Sequence, residues 1–230
     1  MKKLTLLTAV FIISLMSVNA QRFGIKAGLN LSGINTDTEL AEMQTEDLLA
    51  GLNGGFVFEL NPFEHVGFRA EALFSQKGYS LTTDADIDGT DIVTDYSLNM
   101  DYLEIPVLMK FKFGPAYFTA GPYFAYAVSG DEIISMTIDG EELAESQIEE
   151  QGAIPSNDIF KDGEFNGDNI NFDRTDFGIQ AGAGIEFMKF FAELRYAAGL
   201  TDIDKDKGLT EDDFTKNYTI SITAGILFGK

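Results

Sequence analysis

The chain carries 16 basic and 37 acidic side chains in 230 residues, with one histidine and no cysteine. An acid excess of that size repels phosphate backbones and excludes nucleic-acid binding. The absence of cysteine excludes disulfides, zinc-thiolate centres and thiol catalysis, so stability has to come from the fold itself.

The first twenty residues read as an export signal. Lys2 and Lys3 precede an apolar run from Leu4 to Met16, and Ser17-Val18-Asn19-Ala20 puts small residues one and three positions before Gln21. This pattern predicts a signal peptide over 1–20, cut after Ala20, and a single domain over 21–230. A lipoprotein would need Cys where Gln21 stands. The apolar run is shorter than the roughly 20 residues of a spanning helix, and no later stretch reaches that length, so any residence in a membrane has to be by strands.

From Arg22 onward the chain alternates. In 22–32, Phe23, Ile25, Ala27, Leu29 and Leu31 share one face, and Gly24, Lys26, Gly28, Asn30 and Ser32 the other, a strict period of two. The period recurs near 50–60, 65–80, 97–113, 116–129, 175–187, 190–200 and 217–229, which makes eight segments. Each has the roughly nine to eleven residues that a tilted strand needs to cross a bilayer. The expected fold is all-β: an eight-stranded antiparallel up-and-down transmembrane barrel with long acidic loops.

Alternation alone does not say which face points inward, because a soluble barrel shows the same pattern with its apolar face inside. Three further features decide. Tight turns at Asn61-Pro62-Phe63-Glu64, Gly114-Pro115 and Met188-Lys189 alternate with long connections near 33–49, 81–96, 130–173 and 201–216, as in a barrel with short turns on one rim and surface loops on the other. Those four long connections hold 29 of the 37 acidic residues and the turns hold one. The polar face mixes long charged residues with Gly28, Gly55, Gly67, Gly121, Gly182, Gly184 and Gly225; a solvated strand face has no need of so much glycine, whereas a narrow lumen does.

On that assignment Arg69, Glu71, Glu104, Lys110, Glu193 and Arg195 enter the lumen, where each charge must find a partner or water. A paired ladder is expected. Eight strands leave an interior that side chains fill, which argues against an open pore. Phe23, Phe63, Phe113, Tyr117, Phe190 and Phe228 at one end, and Tyr79, Tyr96 and Tyr218 at the other, are expected to form interfacial girdles.

One segment breaks the phase. Leu98 and Met100 lie in one register and Leu103, Ile105, Val107, Met109 and Phe111 in the other, and Pro106 cannot donate to a ladder. A bulge near Asp101 or Tyr102 would repair it. Pro122 poses the same difficulty in the next segment.

The segments YLEIPVLMKFKF (102–113), AYFTAGPYFAY (116–126), FAELRYAAGLTDI (191–203) and ISITAGILF (220–228) together resemble the PorT-like outer-membrane β-barrel family of Bacteroidetes. The resemblance implies residence in the outer membrane, contact with outer-membrane lipid, and a last strand ending at Phe228 that the barrel-insertion machinery reads. Gly229 and Lys230 follow that aromatic, a departure from the family's ending. The founding member is associated with secretion of surface proteases, so the resemblance also raises a secretion accessory as a second reading.

The connections hold the remaining candidate chemistry. His65, the only histidine, starts the third segment without a gathered Ser and carboxylate, so no catalytic residue and no cofactor is expected. Residues 84–95, DADIDGTDIVTD, place Asp84, Asp86, Asp88, Gly89 and Asp95 at the first, third, fifth, sixth and twelfth positions of a calcium loop. The competing reading makes Asp88-Gly89 a hairpin turn, which sets Asp86 opposite Asp91 as a like-charge pair that a calcium or magnesium ion would relieve. Residues 202–213 resemble such a loop too, with Gly208 one place late. The stretch 130–173 reads as a solvated loop, with a helix around Gly140 to Glu150 as an alternative.

The leading expectation is a non-enzymatic outer-membrane barrel with a structural or surface-interaction role and divalent-cation binding in its loops. A soluble lipocalin-like carrier of an apolar ligand, with the two faces reversed, is the third reading.

Overall fold

In hydrocarbon every backbone N–H and C=O needs a partner within the protein, and this chain meets that demand by closing a sheet on itself. The computed structural model describes residues 21–36, 44–87, 89–143, 164–165, 168–169, 173–202 and 215–229. The predicted signal peptide lies outside the described residues. Eight strands form the wall: β1 (Gln21–Thr36), β2 (Leu49–Leu60), β3 (Val66–Ile87), β4 (Thr90–Phe113), β5 (Ala116–Ile138), β6 (Thr175–Phe187), β7 (Phe190–Gly199) and β8 (Thr215–Gly229). Each pairs antiparallel with its neighbours in chain order, and β8 pairs with β1 from Arg22 opposite Gly229 to Thr36 opposite Thr215, which closes the ring.

The apolar phase points outward. Phe56, Ile179 and Ile222 are 71%, 55% and 62% exposed, while Glu59, Arg69 and Lys110 on the other phase are fully buried. A soluble carrier requires the reverse, so the lipocalin-like reading is overturned by where the side chains sit. The outward apolar belt runs from Leu103 to Phe113 on β4 and from Phe68 to Phe74 on β3. Above it the outward residues turn polar, with Gln76 on β3, Asn99 and Asp101 on β4, and Ser129 and Asp131 on β5.

The girdles differ from expectation at three positions. Phe23, Phe63, Phe113, Phe190 and Phe228 are exposed at the turn end. Tyr117 and Tyr79, however, are buried inside the wall at 1% and 7% exposure, and Tyr96 packs with Tyr79 at 6.1 Å between ring centroids. All three stand on the inward phase, so alternation outranks their position near a strand end. At the opposite rim Tyr126 and Tyr196 are exposed, and Tyr218 packs against Tyr196.

Three strands are much longer than a membrane crossing. β3, β4 and β5 have 22, 24 and 23 residues, against 10 in β7. The stretches 81–96 and 130–138, expected as connections, continue as strand; 81–87 and 90–96 meet at a tight turn beside Gly89, whose φ is 82°. Thr82, Thr83, Thr94, Ile92 and Val93 supply the β-branched side chains that favour this. Cross-strand contacts hold it: Ser80 and Ser97 Oγ atoms lie 2.9 Å apart, and the Thr82 hydroxyl donates to Asp95 Oδ1 at 2.6 Å. At the top of β5, Asp139 and Gly140 have φ of 49° and 81°, the geometry of an Asp-Gly hairpin turn, after which Glu141–Glu142 folds back on Thr137 and Ile138. The helix considered from Gly140 therefore does not start there, and its remainder lies outside the described residues.

The phase break at Leu98 resolves differently from expectation. β4 keeps one phase throughout: Leu98, Met100, Tyr102, Leu108 and Lys110 all point inward. The register shift does fall between Asp101 and Tyr102, but the extra residue belongs to β5, where Asp101 faces Ser129 and Tyr102 faces Ala127. Val128 is the inserted residue. Leu98 and Met100 are apolar and inward because above the lipid the interior becomes an apolar cluster of Ile34, Tyr79, Leu98, Met100, Tyr102, Ala125 and Ala127. Pro106 sits opposite Tyr123.

Glycine lets bulky residues share the ring. A Cβ on Gly184 would lie 2.4 Å from Tyr117 Cζ, and one on Gly28 would lie 2.0 Å from the Ile222 carbonyl oxygen. Gly184→Val is therefore expected to prevent ring closure or cost upwards of about 2 kcal/mol through overpacking. Heat-modifiable mobility on a detergent gel, combined with a urea melt of any folded fraction, checks it.

Candidate functional site

Among the described residues the lumen gathers the buried charges of the wall. Alternation sends Lys26 from β1, Glu59 from β2, Arg69, Glu71 and Lys77 from β3, Glu104 and Lys110 from β4, Asp176 and Glu186 from β6, and Glu193 and Arg195 from β7 to the same axis; Arg22 joins them at the turn end. Among the described residues that makes six cations, Arg22, Lys26, Arg69, Lys77, Lys110 and Arg195, and six anions, Glu59, Glu71, Glu104, Asp176, Glu186 and Glu193, all in ion pairs.

The network is layered. At the turn end Glu59 accepts from Arg22 Nη2 at 2.5 Å, Arg69 Nε at 2.7 Å and Lys110 Nζ at 2.7 Å. Lys110 also reaches Glu186 at 2.8 Å, and Arg22 pairs with Glu186 as well. Next, Arg69 Nη1 donates to Glu193 at 2.6 Å, Arg195 makes a two-pronged contact with Glu71 at 2.8 and 3.0 Å, and Lys26 donates to Glu71 at 2.7 Å. Arg195 also pairs with Glu193. In these two layers each carboxylate thus meets two or three cations, which compensates its burial.

Aromatic faces cover the cations where no carboxylate does. The Arg69 guanidinium lies 5.0 Å from the Tyr117 ring centre and 4.9 Å from that of Phe191, and Lys110 Nζ is 4.2 Å from Tyr117. These contacts explain why Tyr117 turned inward instead of joining the girdle.

A neutral layer follows. Asn30 donates to Ser75 Oγ at 3.0 Å and accepts from Asn53 Nδ2 at 3.1 Å and Ser221 Oγ at 2.8 Å. Above it Lys77 donates to Glu104 at 2.9 Å and Asp176 at 3.4 Å, with its Nζ 4.4 Å from the Tyr123 ring centre. The Tyr123 hydroxyl donates to Asp176 at 3.1 Å. The apolar cluster beneath the projecting strands then lies over this layer.

All six residues expected in the lumen lie there; Arg195 pairs with its neighbour Glu193 as well as with Glu71, whereas the others find their main partners across the axis. Glu104 binds Lys77, and Lys110 binds Glu59 and Glu186. Arg69 and Glu71 are only 3.8 Å apart at their nearest. The sequence reading leaves Arg22, Lys26, Glu59, Lys77, Asp176 and Glu186 out of this ladder, although each sits on the polar phase and its charge marks it.

The hairpin carboxylates occupy a different place. Residues 84–87 and 90–95 pair as strands, with Asp86 opposite Asp91 and Asp84 opposite Val93, so the chain forms a hairpin here and not a wrapped twelve-residue loop. The Gly89 N–H donates to Asp86 Oδ1 at 2.9 Å. Asp88 lies outside the described residues, as do residues 203–214 of the second loop, although Asp202 accepts from the Thr215 N–H at 3.1 Å. Among the described residues no three His, Asp or Glu side chains gather as a metal centre. His65 stands at the turn rim, where its carbonyl accepts from the Lys112 N–H at 2.8 Å.

Breaking one partner of the deepest pair leaves a buried charge alone. Arg69→Met is expected to lower unfolding stability by about 3–5 kcal/mol. Arg69→Met combined with Glu193→Gln should recover part of that loss. Urea titration of the refolded barrel in lipid vesicles checks both.

Compared with known proteins, residues 18–205 match the profile described as outer membrane protein beta-barrel domain. Solved structures similar to this chain include Ail, the attachment invasion locus protein of Yersinia pestis, at 13% identity and a TM-score of 0.40, covering 90% of this chain and 98% of that one. Neisserial surface protein A is similar at 8% identity and a TM-score of 0.37, covering 90% and 97%. OprG from Pseudomonas aeruginosa is similar at 14% identity and a TM-score of 0.36, covering 92% and 97%. No curated protein matches the chain.

Proposed function

Because this chain belongs to the outer membrane protein beta-barrel domain family and resides in the outer membrane, we propose that it works as a sealed, non-enzymatic barrel whose task is surface interaction. The supporting observation is the lumen: six cations and six anions locked in ion pairs occupy the axis that a solute would need. The projecting β3–β4–β5 sheet then carries the contact. Within the family the segments around Glu104-Ile105-Pro106 and Gly121-Pro122 favour a PorT-like barrel on this reading.

Purified protein reconstituted into planar lipid bilayers should give no stepwise conductance. Sustained open-channel currents from the native chain would overturn the sealed reading. Trimming the plug should create a leak, so Arg69→Ala with Glu59→Ala is expected to raise conductance above the native baseline.

A divalent-cation role for the hairpin carboxylates Asp84, Asp86, Asp88 and Asp95 belongs to the same reading. Its support is the like-charge opposition of Asp86 and Asp91, which destabilises a hairpin by a few tenths to about 1 kcal/mol unless a cation intervenes. Calcium or magnesium should raise the melting temperature of the native barrel, and Asp91→Asn should abolish that dependence. A melting curve unchanged by chelator removes the idea.

A further inference from the structure

Above the lipid belt, β5 has a partner on only one side over residues 129–135 among the described residues. It pairs with β4 from Asp101 opposite Ser129 to Ile92 opposite Ile138. On its other side β6 stops at Thr175, opposite Tyr126, with one further bond from the Ala127 N–H to the Arg174 carbonyl at 2.7 Å. The strand Glu141–Glu142 takes up that side again only at Thr137 and Ile138, and the Leu143 N–H reaches the Met136 carbonyl at 2.8 Å. Between those limits, residues 129–135 have no backbone partner on that edge among the described residues.

The phase of this edge follows from Met136. Alternate residues of an antiparallel strand turn their backbone groups to the same side, so Gly130, Glu132 and Ile134 aim their N–H and C=O groups at the window. Barrel closure removes such edges within the lipid, and this one arises only where β5 outruns β6. It spans about 23 Å at the usual strand rise.

The side chains around the window state what fits it. On the outer face Asp131 stands opposite Asn99, with Asp101 and Asp95 nearby on β4 and no Lys or Arg on that face of the projecting sheet. On the inner face Glu132 is 5% exposed and hydrogen-bonds with Tyr96, while its Oε2 has no hydrogen-bond partner among the described residues; Ile134 and Met136 follow it. A buried carboxylate oxygen is costly without a donor, and a cation on the inward face of an incoming chain would supply one beside the bond with Tyr96. A second copy of this protein would oppose Asp131 and Glu132 to their equivalents. The chain's own stretch 144–172 carries seven carboxylates and one lysine, so its charge is also mismatched.

We propose that the outer edge of β5, residues 129–135, is a strand-docking site that takes an extended lysine- or arginine-rich segment of a partner protein by β-strand addition. Main-chain hydrogen bonds to Gly130, Glu132 and Ile134 hold it, its cations meet Asp131 and Glu132, and its apolar residues lie along Ile134 and Met136. The proposal deepens the surface-interaction reading by naming the partner's chemistry. Its failure would leave the conductance test untouched.

The test uses the whole barrel in lipid nanodiscs and short synthetic peptides in which pairs of lysines alternate with pairs of valines, so that each face of an added strand carries both, or the same peptides with glutamate for lysine. The lysine peptide should bind, the glutamate peptide should not, and Ile134→Pro should weaken binding at least tenfold. Proline at 134 removes an N–H that faces the window and leaves the ladder to β4 intact. Hydrogen exchange at Glu132 and Ile134 should be fast in the free barrel and slow when the peptide is bound. Equal binding by Ile134→Pro would mean that charge alone attracts the peptide, and protection of those two amides without peptide would mean that the chain fills its own edge; either result overturns the proposal.

Discussion

Opposite charges inside a ring too narrow for water-filled space are the constraint on which this structure depends. The wall faces hydrocarbon, so an ionised side chain has only the lumen to enter. There it must be matched, because an unpaired buried charge costs several kcal/mol. The match is kept over the axis as a whole, six cations to six anions, and not layer by layer. Glu59 gathers Arg22, Arg69 and Lys110, Glu71 gathers Lys26 and Arg195, and Glu104 with Asp176 holds Lys77.

Once the charges are inside, the rest of the interior follows. Arg69 is fully buried between Tyr117 and Phe191, and rings of that size fit the ring of strands only where the facing positions lack side chains, as at Gly184 and Gly225. Glycine weakens strands in isolation; here the ladder to both neighbours and the ion pairs across the axis offset that loss. The glycine content and the charge content of the polar phase are therefore one feature of a small barrel. A second regime starts above the lipid. There the interior of the β3–β4–β5 projection changes from ion pairs to tyrosine and aliphatic side chains, and the outward face changes from phenylalanine and isoleucine to aspartate, serine and threonine.

Much of this was legible in the residues. Period two located all eight strands, and the alternation of tight and long connections fixed which rim each end of a strand occupies. Strand length is harder to read, because the 81–96 and 130–138 stretches are acidic and look like loop, whereas their Thr, Val and Ile continue the alternation. The contradictory phase of Leu98 had a plain cause that sequence conceals: apolar residues point outward in lipid and inward above it, so a strand that leaves the membrane reverses its pattern without any bulge of its own. Ion-pair partners were hidden for a related reason. Arg69 and Glu193 stand 124 positions apart, and only the closed ring brings them together across the axis.

The chain has no cysteine, which allows single cysteines along β4 from Leu103 to Phe111 to carry a nitroxide label. Electron paramagnetic resonance would then compare collisions with oxygen, which concentrates in lipid, and with a water-soluble nickel complex. Oxygen accessibility should peak at 103, 105, 107, 109 and 111 and fall at 104, 108 and 110, where the native side chains meet the lumen. Peaks at the even positions, or no alternation along the strand, would contradict the placement of lipid and charge on which the whole account stands.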